Sequence, residues 1–221
     1  DRIDYSNDTA TASPKGPLSE TKAGLAAAGT QNYGYFGGGF PGGKSTVDRI
    51  DYANDTAAAS AKGPLSDGRY RVGATGNSSH GYWAGGYGPK STVDRVDYSN
   101  DTAIASAKSP LNAARNYLGG VSAQENAFPQ TYSQGTVGTY GAGYVSLGSP
   151  GNYTIVDRID FANDTTTTSR RGDLASARQQ AAAASSSSHA YFGGGGTTPV
   201  SIVDRVDYSN DTSLALIRGP L

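Results

Sequence analysis

The stretch "STVDRIDYANDTAAASAKGPLS", Ser45 to Ser66, returns almost word for word as "STVDRVDYSNDTAIASAKSPL", Ser91 to Leu111. "TVDRIDY" alternates, so an extended strand puts Val47, Arg49 and Asp51 on one face and Asp48, Ile50 and Tyr52 on the other. "ANDT" is a turn, because Asn and Asp side chains bond their own backbone. "TAAASAKGPLS" restarts a strand whose small side chains suit a crowded sheet-on-sheet seam. Gly63-Pro64 ends it, since Pro cannot extend a ladder.

Outward from this phrase, the Asp-Arg step begins at Asp1, Asp48, Asp94, Asp157 and Asp204, at spacings of 47, 46, 63 and 47 residues. Periods of this length mark propellers or solenoids. Before the phrase stands a short Gly-rich aromatic strand: "YGYFGGG" at Tyr33–Gly39, "GYWAGG" at Gly81–Gly86, "AGYVSLG" at Ala142–Gly148 and "AYFGGGG" at Ala190–Gly196. After it comes an irregular fourth segment, "GRYRVGATG" in one copy and "AARNYLGGVS" in another. The Ala-rich run Leu174–Ala184 has helical propensity, but equivalent positions elsewhere carry Val72-Gly73-Ala74 and Leu118-Gly119-Gly120, so the repeat phase predicts a strand. One repeat domain over 1–221 is expected, with units near 1–47, 48–93, 94–156, 157–203 and 204–221. The third holds an insertion near 124–140, which should emerge at one rim.

The chain of 221 residues can bury a sizeable core. Net charge is −1, and no Lys/Arg stripe with interleaved aromatics appears, so neither charge nor pattern points to nucleic acid. No run of 18 apolar residues would span a membrane as a helix. There is no Cys, which excludes thiolate chemistry and disulfides, and two His cannot make a three-histidine zinc site. Gly, at 31 residues, is twice its usual share, which favours tight sheets and turns over Leu-packed helices. The chain lacks Met and opens at Asp1 inside a repeat, so it is expected to be a piece of a longer product.

Four strands per unit, a strand ending in paired glycines and a later Asp before a turn together resemble the kelch family of β-propellers. The Gly-Gly column is Gly38-Gly39, Gly85-Gly86 and Gly194-Gly195. The Asp column is Asp4, Asp51, Asp97, Asp160 and Asp207. A basic column, Lys22, Arg69, Arg115 and Arg178, stands four residues after Leu18, Leu65, Leu111 and Leu174. The family's usual Trp in the third strand is missing, and "GYVSLG" replaces paired glycines in the third copy. The resemblance implies an all-β, kelch-like propeller of four-stranded antiparallel blades. Five Asp-Arg strands against four Gly-rich ones make the segment an incomplete part of a larger propeller, or an arc covered by neighbouring chains; a two-layer solenoid is the other architecture of this period. The phrase "DRIDYSNDTATAS" with "GYFGGG" also resembles repeat proteins in virion appendages, such as tail fibres, of tailed bacteriophages of marine bacteria. That resemblance implies a non-enzymatic structural or adhesive virion component, partnered by other virion proteins, copies of itself or a host-surface glycan.

Asp48 and Arg49 point to opposite faces, so a buried Asp48 should meet the basic column at Arg69 across the sheet. The same clamp is expected of Asp94, Arg115, Asp157 and Arg178. Asp51, Asn54 and Asp55 offer oxygen ligands but not a calcium-loop spacing, and turn chemistry explains them. Five "NDT" sequons fit the glycosylation rule and equally the turn. "GGKST" at Gly42–Thr46 matches the end of a nucleotide loop in letters, yet a strand follows where a helix is required. No catalytic, cofactor or metal site is expected. His80 and His189 precede the Gly-rich strand, as strand caps or as rim contacts. With Tyr82 and Trp83, which face opposite ways, and Tyr132 and Tyr140 on the insertion, they are the candidate ligand or interface contacts. A carbohydrate-binding propeller of a secreted or cell-surface protein is the alternative. A propeller hydrolase or lyase would need converging carboxylates that the sequence does not single out.

Overall fold

The computed structural model describes residues 1–4, 6–122, 142–149, 151–196 and 198–221. The chain is all-β, built as four antiparallel four-stranded sheets, each a meander of consecutive strands. The first is β1 (Ala26–Gly29), β2 (Tyr33–Gly37), β3 (Val47–Asp51) and β4 (Ser60–Lys62); the second is β5 (Gly73–Gly76), β6 (His80–Ala84), β7 (Val93–Asp97) and β8 (Ser106–Lys108). The third is β9 (Gly119–Ser122), β10 (Ala142–Ser146), β11 (Val156–Asp160) and β12 (Ser169–Arg170), and the fourth β13 (Ala182–Ser185), β14 (His189–Gly193), β15 (Val203–Asp207) and β16 (Leu216–Arg218). Of the Ala-rich run Leu174–Ala184, Ala182–Ala184 enter β13 and the rest is irregular chain rather than helix. Residues 1–18 add an outer pair bridged at Arg2 and Ser13.

The irregular fourth segment of each unit pairs with the Gly-rich strand that follows it, as Gly73↔Ala84 shows. Sheets therefore start in a different phase from the Asp-Arg units. "VDRID" or "VDRVD" lies third in every sheet and continues into a tight turn. In the first two sheets Asp51 and Asp97 cap that turn, accepting the Ala53 and Ser99 amides at 2.9 Å.

Among the described residues there is no single core. The hydrophobic residues form three clusters, one in each seam between successive sheets. Alternation along a central strand feeds two seams at once. Trp83 turns toward the first sheet, with Tyr35, Val47 and Leu65, whereas Tyr82 turns toward the third, with Leu118, Val145 and Ile159. The first strands β1, β5, β9 and β13 touch in succession and line one side of the array.

Each seam is also fastened by one aspartate of the "NDT" turn. Asp101 of the second sheet enters a socket on the first, 2.9 Å from Tyr35 Oη, 2.7 Å from Arg49 and 3.4 Å from Lys62. Asp164 repeats this on Tyr82, Arg95 and Lys108 at 2.9, 2.7 and 3.6 Å. Asp211 repeats it on Tyr144, Arg158 and Arg171 at 2.8, 3.2 and 3.3 Å. The N-terminal pair serves the first sheet in the same way, with Arg2 and Lys15 on Asp55. Beside each aspartate the backbones nearly touch. A Cβ on Gly63 would lie 1.8 Å from the Ala103 carbonyl oxygen, and one on Gly172 1.8 Å from that of Ser213. At those two positions only glycine fits; in the middle seam Ser109 takes the equivalent place, its amide 3.2 Å from the Asp164 carbonyl where Gly63 and Gly172 approach to 2.8 Å.

Candidate functional site: an aromatic and arginine cleft

Under each Gly-rich strand runs a buried ion pair. Asp94 and Arg69 are 0% and 1% exposed, with Nη2 2.5 Å from Oδ2. Asp94 also accepts the Ser66 amide and hydroxyl, and Arg69 donates to the Trp83 carbonyl. Burial pulls the Arg69 and Arg115 guanidinium groups below an arginine's ordinary value, and the facing aspartates push back. The pairing differs from the sequence expectation by one repeat. Asp48 meets Lys22 at 3.0 Å, Arg69 meets Asp94, Arg115 meets Asp157, and Arg178 meets Asp204 at 2.6 Å. The basic column belongs with the next Asp-Arg strand because the segment carrying it joins the next sheet. Paired glycines make room for it: Gly85 and Gly86 hold φ of 70° and 140°, and a Cβ on Gly86 would sit 3.0 Å from Arg69 Cβ.

Two residues beyond each basic position the chain turns left-handed, at Gly24, Arg71, Tyr117 and Gln180, with φ between 59° and 66°. Their backbones bond in series. Arg71 N–H donates to the Gly24 carbonyl at 2.6 Å, Tyr117 N–H to Arg71 at 2.8 Å and Gln180 N–H to Tyr117 at 3.3 Å. This ladder crosses all four sheets at the mouth of the array. Over it lie Phe40 and Tyr87, which follow the paired glycines and bridge to Ala23 and Tyr70.

Side chains gather there. Tyr70 and Tyr87 stack at 4.7 Å, and Phe40 tilts onto Tyr70 at 5.2 Å. The Arg71 guanidinium lies 4.2 Å from the Tyr117 ring centre, 5.1 Å from Tyr87 and 5.2 Å from Tyr70. A cleft of about 550 Å³ opens beside them, completed by Leu25, Val72, Leu118 and Gln180. Phe40 and Tyr87 are each half exposed. Partial desolvation, then the neighbouring Tyr87, raises the Tyr70 phenol. The cleft offers flat apolar faces, a cation and several hydroxyls within one ligand's reach.

No known protein family and no curated protein matches this chain. The site therefore rests on its own geometry.

The residues expected as contacts lie elsewhere. Tyr82 and Trp83 are fully buried, Tyr82 stacked on Phe161 and Trp83 donating Nε1–H to the Ala26 carbonyl. Both faces of a central strand are covered by neighbouring sheets, so neither ring reaches a ligand. His80 begins β6, where the Asn77 side chain accepts its amide; burial, then Arg95, lowers its imidazole. His189 begins β14, its ring bonded to Ser188 and 3.9 Å from Asp207. Tyr132 and Tyr140 lie outside the described residues. Lys44 and Thr46 of the nucleotide-loop lookalike are both held by Glu20, and β3 follows. Among the described residues no cluster of three or more His, Asp or Glu is placed to hold a metal. None of the helices among them is long and apolar enough to cross a membrane.

Sequence reasoning missed the cleft. Its signal was there: Phe40 and Tyr87 follow the paired glycines where the other copies have Ser149 and Gly196, and Tyr70 and Tyr117 stand one and two residues after the basic column, where the other copies have Ala, Asn or Gln and Gly, Arg or Gln.

Proposed function

We propose that the protein is a non-enzymatic adhesive repeat module, its four sheets arranged as successive blades of a kelch-like propeller, with the cleft as its recognition site. The observation that carries this is the Arg71 guanidinium held against three tyrosine rings at an open mouth. Such a site suits a surface glycan whose sugar faces stack on Phe40 and Tyr87 and whose acidic substituent meets Arg71. Contact between the first strands of successive sheets supports the blade arrangement. Its place in a phage virion appendage, and so a role in host attachment, rests on the resemblance of "DRIDYSNDTATAS" and "GYFGGG" to virion repeat proteins.

Titration calorimetry with neutral and uronic-acid oligosaccharides tests the reading. Binding should favour the acidic sugars. Tyr87→Ala should weaken it about tenfold, since an aromatic contact contributes about 0.5–1.5 kcal/mol beyond area burial. Equal binding by wild type and the Tyr87→Ala/Arg71→Ala double variant would defeat it.

A further inference from the structure

Three of the four buried ion pairs are built alike, and the first is not. In the second, third and fourth sheets the cation is an arginine. Each of those aspartates also has a second donor. Asp94 accepts the Ser66 amide and hydroxyl, Asp157 the Asn112 side-chain amide, and Asp204 the Ala175 amide. The first sheet sets Lys22 against Asp48. Both side chains are fully buried, and Nζ stands 3.0 Å from Oδ2. Yet neither Asp48 oxygen accepts a hydrogen bond from any described residue, so Nζ approaches off the line along which a carboxylate oxygen takes a proton. Two backbone carbonyls orient Nζ instead, Thr46 at 3.3 Å and Phe36 at 3.5 Å.

We propose that Lys22 and Asp48 condense into an amide, a covalent staple across the first sheet. Passing one ammonium proton to the carboxylate gives an amine and an acid. With its two N–H groups held by the Thr46 and Phe36 carbonyls, the amine keeps its lone pair free for Asp48. The pair already stands at about the 3–3.5 Å of a near-attack arrangement. The Nζ–Cγ bond forms and one Cγ–O bond breaks. Of the three ammonium hydrogens the amide keeps one, and the other two leave with the departing oxygen as water. No oxidant or other co-reactant is needed. Burial favours the amide twice, because two charges leave a dry core and no water is at hand to hydrolyse the bond. The other three sheets are barred from this step, since a guanidinium keeps its proton and is no nucleophile. The bond ties the segment before β1 to β3 and encloses β1 and β2 in a covalent loop.

Intact mass spectrometry of the purified, folded chain tests this. Wild type should be lighter than its sequence by one water. In a tryptic digest the free peptide Ser45–Arg49, which holds Asp48, should be missing. It should appear instead joined to a peptide left uncleaved after Lys22, and tandem spectra should place the bond between the two side chains. Lys22→Arg supplies the side chain of the other three sheets. It should keep native Trp83 emission, have the full mass of its sequence and release Ser45–Arg49. A wild type of full mass overturns the proposal, whatever the variant does. So does a missing water that persists in Lys22→Arg or maps elsewhere, for instance to a cyclised Asp67-Gly68 step.

Discussion

Replacing Arg69 with Met isolates the contribution of one buried ion pair. The methionine keeps the aliphatic stem on which Gly86 packs and removes only the guanidinium. What remains is Asp94, 0% exposed, with the Ser66 amide and hydroxyl as its donors but no cation. Breaking a buried pair from one side costs about 3–5 kcal/mol. The two surviving hydrogen bonds put this case near the lower figure. For a chain of this length each kcal/mol moves the midpoint by about 2–4 °C, so a drop of about 6–12 °C is expected. The assay is built in. Trp83 is the sole tryptophan, fully buried in the seam between the first two sheets, and its carbonyl accepts from Arg69. Thermal unfolding followed by its emission reports this seam, and circular dichroism reports the whole array. Because repeat arrays open unit by unit, the emission midpoint should fall further than the dichroism midpoint. Adding Asp94→Leu should restore most of the loss, since an apolar pair of similar volume is often as stable as a buried salt bridge. An unchanged Arg69→Met midpoint, or a double variant less stable than the single one, would refute the reasoning.

Gly63→Ala would put its Cβ onto the Ala103 carbonyl oxygen unless the strands move apart, as they do in the next seam, where Ser109 holds the equivalent place; it should therefore lower the thermal midpoint without abolishing the fold, and an unchanged midpoint would contradict it. Tyr35→Phe removes the phenol bonded to Asp101 and should cost about 1 kcal/mol in denaturant unfolding. Burial, then the Asp101 hydrogen bond, raises the Tyr35 pKa from 10 to about 12. The folded state therefore favours the protonated phenol, and this stabilisation is complete below pH 10 and lost as pH rises through about 12. Alkaline unfolding followed by tyrosinate absorbance should begin in that window, and free titration of all tyrosines near pH 10 would argue against it.

Strand positions were legible because "VDRID" alternates and "NDT" turns, both local properties. The Ala-rich run could be kept from a helix only by comparing copies, since propensity alone favours one. Partners were another matter. A column of Asp and a column of Arg say that a pair exists, but not whether the Arg meets its own copy's Asp or the next one's. Topology settles that, and it shifted every pair by one repeat. Alternation likewise sent Tyr82 and Trp83 to opposite faces without revealing that neighbouring sheets cover both. The role of Asp101 was hidden because a turn explains "NDT" fully at short range, while its socket at Arg49 lies 52 residues away. The cleft occupies positions where the repeats differ, which a pattern of repetition does not mark.

The left-handed ladder has one more consequence. At Gly24, Arg71, Tyr117 and Gln180 the structural work is done by amide and carbonyl, so the side chain is released from any duty to the architecture. One copy can display hydrogen, the next a guanidinium, the next a phenol, at only a modest conformational penalty for a non-glycine residue. These sites can vary as antibody loops do, changing the chemistry displayed at the mouth while the framework beneath stays the same.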